Sequence, residues 1–282
     1  MDEIWGSRHA TAQATGTLWA IKFHTMCYNA VSGTKKKLKY AKHRNDDPEH
    51  IVELEKLLEE LSPLVKPYYQ VSGFSHPNLI VFTNENPMTP QAMKWGLIPS
   101  WIKDKKTANT ISNQTLNARS ETIFEKPSFR TPARKKRCLI YLDAFYEHHF
   151  KFGKTYPFHI SMADDSPLVI AGLWDEWIDK ETGELVKTVS IVTCVGNDNL
   201  KRIHNNPKAE GPRMPVILTK ENQDHWLKEL SKETTEENIL QLAIPFPDEK
   251  LKYYTINKIL GKNTLGNIPQ AEQEYLYPEI QI

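Results

Sequence analysis

Apolar residues recur along this chain at two spacings. In residues 49–61 (EHIVELEKLLEEL), Ile51, Leu54, Leu57, Leu58 and Leu61 fall three or four apart with acids between them, the signature of a helix with one buried stripe. Pro63 and Pro67 end that helix. The pattern then shifts to short runs rich in β-branched and aromatic residues: Leu79–Thr83, Met93–Ile98, Cys138–Phe150, Phe158–Met162, Leu168–Trp174, Thr188–Val195, Met214–Leu218 and Lys252–Ile256. Gly, Pro and Asn punctuate these strands. Helices are expected again at Lys220–Leu230 and Thr235–Leu242. Many short strands with few helices predict an α+β single domain, built on a mainly antiparallel, barrel-like β-sheet with peripheral helices. Residues 1–26, rich in Ala, Thr and Gly and without periodicity, are expected to be a leader or alternative start, removed or disordered, ahead of one domain over 27–282.

Composition narrows the class. With 39% hydrophobic and 10% aromatic residues in 282, the chain has enough apolar surface to fold without disulfides. No apolar run approaches the roughly 20 residues of a membrane span. The formal net charge of +1 argues at first against nucleic acid. The charge is unevenly placed, however. Basic residues group in Lys35–Arg44 and Arg130–Arg137, and acids in Asp46–Glu60 and Glu221–Glu237. A neutral total is therefore expected to hide a basic groove with an acidic back. Three scattered cysteines, none in a CxxC pair, exclude a disulfide framework and a structural zinc site. A reduced, cytoplasmic monomer is the expectation.

Four places could carry chemistry. Met26 precedes Cys27. If residues 1–26 are lost, Cys27 presents an α-amine of pKa about 7.7–8.0 beside a thiol, and the two together convert an aldehyde to an imine and then a thiazolidine. Read alone, Cys27 is better taken as an inert internal thiol, the commoner fate of a cysteine. Asn117, Arg119 and Ser120 lie in the polar stretch Leu116–Thr122, where Asn donates and accepts and Arg forks onto phosphate, or where a helix cap simply forms. Glu147 sits within the aromatic strand Asp143–His149, where burial would raise its pKa and suit it to acid–base work, or where it makes an edge salt bridge. Adjacent His148 and His149 face opposite ways on a strand, so they do not make a metal site. His204 is a candidate proton donor, and Arg213 heads an apolar strand from which it could reach an anion. Trp95 and Trp101 flank turn formers, and either could stack on a base or pack in the core.

In order, Met26-Cys27, Trp95-Gly96-Leu97-Ile98-Pro99, Asn117-Ala118-Arg119-Ser120-Glu121-Thr122, Phe145-Tyr146-Glu147, Ile203-His204 and Arg213-Met214-Pro215-Val216 resemble the SOS-response-associated peptidase family over roughly residues 26–275. The closing run Gly261–Asn267 is similar to that family's C-terminal pattern. The resemblance implies binding of single-stranded DNA at abasic sites, a covalent thiazolidine through mature Cys27, and self-processing that exposes that cysteine, without a cofactor and in association with the nucleoid. By the same match, Asn117 positions the amine, Glu147 moves protons and His204 protonates the departing oxygen. Trp95, Arg119, Ser120, Thr193 and Arg213 would contact the strand. A thiol peptidase acting in trans and a non-covalent reader of modified DNA are the alternatives. The chain departs from the pattern in having Tyr28-Asn29 where Gly-Arg is common, so that Lys35–Arg44 is expected to compensate. His148 stands where a tryptophan often follows the glutamate, and the loop between His204 and Arg213 is longer than usual.

Overall fold

The computed structural model of the protein describes residues 29–35, 37–207, 211–261 and 264–280. Cys27 and the expected leader lie outside the described residues. Twelve strands and seven α-helices follow in the order β1 (Asn29–Ser32), α1 (Lys37–Arg44), α2 (Pro48–Glu60), β2 (Tyr68–Ser72), β3 (Asn78–Thr83), β4 (Gln91–Trp95), α3 (Lys105–Gln114), β5 (Asn117–Arg119), α4 (Arg130–Lys135), β6 (Arg137–Leu142), β7 (Ala144–Lys151), β8 (Lys154–Met162), β9 (Leu168–Ile178), β10 (Leu185–Val195), α5 (Asp198–Ile203), β11 (Arg213–Pro215), α6 (Lys220–Leu227), α7 (Glu236–Leu240) and β12 (Leu251–Thr255).

Alternating apolar strands close into a five-stranded barrel, β10-β4-β3-β6-β9, because β9 pairs back onto β10. All its pairings are antiparallel except β10–β4. Closure removes the unpaired edges that an open sheet would expose. The long strand β10 then runs past the barrel. Beyond β4 it pairs with β5 in parallel, and beyond β9 with β11 antiparallel. A second sheet, β12-β8-β7-β1-β2, is antiparallel throughout. The main core is continuous from the barrel strands to α2, α6 and α7, with Leu54, Leu58, Trp226 and Ile239 buried in it. The mainly antiparallel, barrel-like fold with peripheral helices is thus as the pattern predicts.

The expected single strand Cys138–Phe150 is broken at Asp143, which hands the chain from barrel to second sheet. The Asp143 backbone N–H donates to Val31 O at 2.8 Å. Its buried carboxylate accepts from the Thr34 N–H at 2.7 Å, the Thr34 hydroxyl at 2.9 Å and the Tyr40 hydroxyl. That clamp seats β1 and the start of α1 against the sheet. Helix α3 is absent from the apolar pattern because it buries only Ala108 and Ser112. It is started instead by Asp104, which accepts from Thr107 N at 2.8 Å.

The basic run is a helix rather than a groove wall. Lys35 and Lys39 pair with Asp165, and Arg44 pairs with Asp224 at 3.2 Å. Arg134 pairs with Glu236 at 2.6 Å, and Arg137 is buried with its Nε donating to Trp226 O at 2.7 Å. Five cations of the two runs, Lys35, Lys39, Arg44, Arg134 and Arg137, thus answer carboxylates or carbonyls of the fold.

Candidate active site

Glu147 and His204 are brought together by two elements distant in sequence. Strand β7 carries Glu147 into the interior. Helix α5 opens at Asn197, whose side chain accepts from Leu200 N at 2.9 Å and donates to Phe246 O at 2.9 Å. It closes at His204, whose N–H donates to Leu200 O at 2.7 Å. Asn205 then docks on β7 as a strand would, accepting from Phe150 N at 2.7 Å and donating to Phe150 O at 3.0 Å. The result is a buried pair with His204 Nδ1 at 3.3 Å from Glu147 Oε2. The other carboxylate oxygen accepts from the His148 N–H at 2.9 Å. His149 turns the opposite way, with its Nδ1 at 3.0 Å from Arg202 O.

The expected raised pKa of Glu147 is corrected. Burial alone pushes it up, but the hydrogen bond and charge of His204, joined by His148, outweigh burial and hold the carboxyl below its usual range. Glu147 is therefore ionised at neutral pH and accepts protons. Burial lowers the His148 pKa more than the neighbouring Glu147 raises it, so His148 is neutral there.

Strand β1 pairs with the strand that carries Glu147. Asn29 lies opposite Tyr146, one residue before Glu147, and on its other side opposite Ser72. Gly73 follows, and a Cβ there would sit 3.2 Å from Leu116 Cδ2 and from the Trp95 ring. That closeness admits only glycine without displacement, and it ties the end of β2 to the residue before Asn117. Asn117 is itself buried, opposite Ile191 on β10.

A further cluster lies where β5 and β11 flank β10. Arg213 forks onto Glu121 with Nη1–Oε1 at 3.1 Å and Nη2–Oε2 at 2.8 Å. Its Nε donates to Thr193 Oγ1 at 3.2 Å, and Nη2 also donates to Thr193 O at 2.8 Å. Burial pushes the Glu121 carboxyl up, but the Arg213 bonds and charge and the Ser120 hydroxyl hold it below its usual range. Arg119 is half-buried in β5, opposite Thr193.

The family model for SOS response associated peptidase (SRAP) matches residues 26–263. The chain is a member of the SRAP family. Abasic site processing protein YoqW of Bacillus subtilis is 34% identical over 213 residues, covering 72% of this chain and 88% of that protein. Abasic site processing protein HMCES of Pongo abelii is 30% identical over 207 residues, 64% of this chain and 55% of that protein. A solved protein of Bacteroides thetaiotaomicron superposes with a TM-score of 0.74 at 34% identity, covering 89% of this chain and all of that one. A Bordetella bronchiseptica structure at 21% identity, TM-score 0.62, shares the fold.

Within this SRAP chain the five expected strand-contacting residues divide. Trp95 is 1% exposed and donates its indole N–H to Leu116 O at 2.8 Å. Thr193 is fully buried beneath Arg213. Both side chains are packed into the fold and hydrogen-bonded within it. Trp101 is the exposed tryptophan of the pair, at 55%. Ser120 and Arg213 are buried and occupied with Glu121, whose carboxylate fills the fork that a phosphate would take. Asn205 and Glu121 were given no role by sequence reading. The only local signal for the former was an amide directly after the histidine. The described Cys138 and Cys194 are buried thiols, the first pushed well up and the second to about 12 by burial, so neither is a nucleophile. Among the described residues no three metal-ligating side chains converge, and no helix is long and apolar enough to cross a membrane.

Proposed function

We propose that this chain processes abasic sites in single-stranded DNA by covalent capture through Cys27, once residues 1–26 are removed. The observation that carries the reading is the buried Glu147–His204 pair, 3.3 Å apart, beside the end of β1. Membership in the SRAP family and the names of its relatives point the same way.

The chemistry suits these groups. The neutral α-amine of Cys27 adds to the C1 aldehyde of the ring-opened sugar. The carbinolamine loses its oxygen as water, with His204 as proton donor, leaving an imine. The Cys27 thiolate adds to the imine carbon, the nitrogen takes a proton, and a five-membered thiazolidine closes. Ionised Glu147 accepts the proton of the attacking group and holds the imidazole in register. In self-processing, the same pair would assist attack of water on the Met26–Cys27 amide, releasing the leader and freeing the amine. Asn117 positions that amine, and half-buried Arg119 steadies the adjoining phosphate.

The test is intact-mass spectrometry of the purified chain, followed by denaturing gels with an abasic oligonucleotide. A chain beginning at Cys27 and a heat-stable adduct are expected. Cys27→Ala abolishes the adduct, and Glu147→Gln slows it by about 100-fold or more. A full-length adduct from Cys27→Ala, or repeated turnover of a peptide in trans without any adduct, overturns the reading and favours the thiol peptidase.

A further inference from the structure

Glu147 and His204 hang from different sheets. Glu147 stands on β7 of the second sheet, whereas His204 closes a helix that follows barrel strand β10 directly, across Gly196 and Asn197. Their 3.3 Å separation therefore depends on how α5 is fixed to the second sheet. With six residues, α5 is about 9 Å long and moves as one body, so its two ends decide where His204 stands. The C-terminal end is fixed to β7, by Asn205 on Phe150 and by His149 Nδ1 at 3.0 Å from Arg202 O.

The N-terminal end is tied to β12, the edge strand of the same sheet. Tyr253 of β12 lies opposite Ile160 of β8, and Ile160 lies opposite Phe145 of β7. Phe145 and Glu147 are two residues apart on one strand, so Tyr253 and Glu147 stand on the same face of the sheet. There the Tyr253 hydroxyl accepts from Asn197 Nδ2 at 3.0 Å and donates to Asp248 Oδ1 at 3.1 Å. Asp248 Oδ1 also accepts from the Asn199 N–H at 3.2 Å, in the first turn of α5. Burial pushes the Tyr253 phenol above its usual range and the Asp248 carboxylate adds to this, so the hydroxyl keeps its proton at neutral pH. Capping α5 needs only Asn197 Oδ1, which accepts from Leu200 N at 2.9 Å. The bonds from Asn197 Nδ2 to Tyr253 and to Phe246 O are additional to the cap, and they fix where the helix points.

We infer that Tyr253 is a positioning residue for the Glu147–His204 pair: through Asn197 and Asp248, its hydroxyl sets the angle at which α5 presents His204 to Glu147. The inference rests on the functional reading above, in which that pair moves the protons of capture.

The test is the rate of adduct formation on an abasic oligonucleotide for Tyr253→Phe, in the wild-type and the Glu147→Gln backgrounds, at a temperature where circular dichroism shows every variant folded. Phenylalanine keeps the ring, Asn197 keeps Phe246 O and Asp248 keeps Asn199 N, so the melting temperature is expected to fall by no more than about 5 °C. In the wild-type background the rate is expected to fall about tenfold. In the Glu147→Gln background, where the pair is already broken, the same change is expected to alter the rate by less than about twofold. Lost packing alone would lower the rate by the same factor in both. An unchanged rate in the wild-type background, or equal falls in the two, overturns the positioning role and leaves the functional reading standing. A wild type that forms no adduct overturns the functional reading and the role of Tyr253 with it.

Discussion

Arg213→Met distinguishes a phosphate grip from a structural strut. In the folded chain the guanidinium makes two buried bonds to Thr193 and a bidentate pair with Glu121. Hydrogen bonds from a charged donor contribute about 1.5–3 kcal/mol each. The Glu121 side chain is 48% exposed, so that pair adds no more than about 1 kcal/mol after solvent screening. Methionine recovers part of the volume and avoids desolvating a cation. A net loss of about 2–4 kcal/mol is expected, and at about 2–4 °C per kcal/mol for a chain of this size the melting temperature falls by about 5–15 °C. The assay is thermal unfolding by circular dichroism, paired with the salt dependence of single-strand binding below the transition. The salt slope is expected to stay at the wild-type value because the fork is occupied. A drop of less than about 2 °C together with a slope flattened by about 0.7 would refute the reasoning and return Arg213 to the phosphate.

Other outcomes follow from the same geometry. Glu147 has a folded-state pKa below its unfolded one, so it contributes stability above about pH 4.3 that is lost as pH falls through the folded value. The stability difference between wild type and Glu147→Gln is therefore expected to be level near pH 7 and to shrink below about pH 5 in urea titrations; a difference constant down to pH 3 refutes the shift. Trp95→Phe loses one buried hydrogen bond and some apolar contact, an expected cost of about 1–3 kcal/mol by chemical denaturation, with single-strand affinity of the folded protein unchanged. Asn205→Ala removes both docking bonds to Phe150. It is expected to cost about 1–2 kcal/mol and to slow adduct formation, with an unchanged adduct rate counting against Asn205 as the residue that positions His204.

Period and punctuation sufficed for the barrel strands, for α2 and for the class of fold, since the spacing of apolar residues marks the face that each element buries. Motif order sufficed for the family. What the tertiary structure decided was partnership. Asp143 splits one apolar run into two strands because its carboxylate finds Thr34 and Tyr40, over a hundred residues away. Trp95 and Trp101 look alike in sequence, yet only the first meets Leu116 O and the core. Arg213 reads as an anion grip until Glu121, 92 positions away, is found in its fork. Glu147 was expected to have a raised pKa from burial, and the imidazole that reverses the sign arrives from α5. A side chain's volume and charge are written in the sequence; its pKa, its exposure and its freedom to meet a ligand are set by neighbours that only folding supplies.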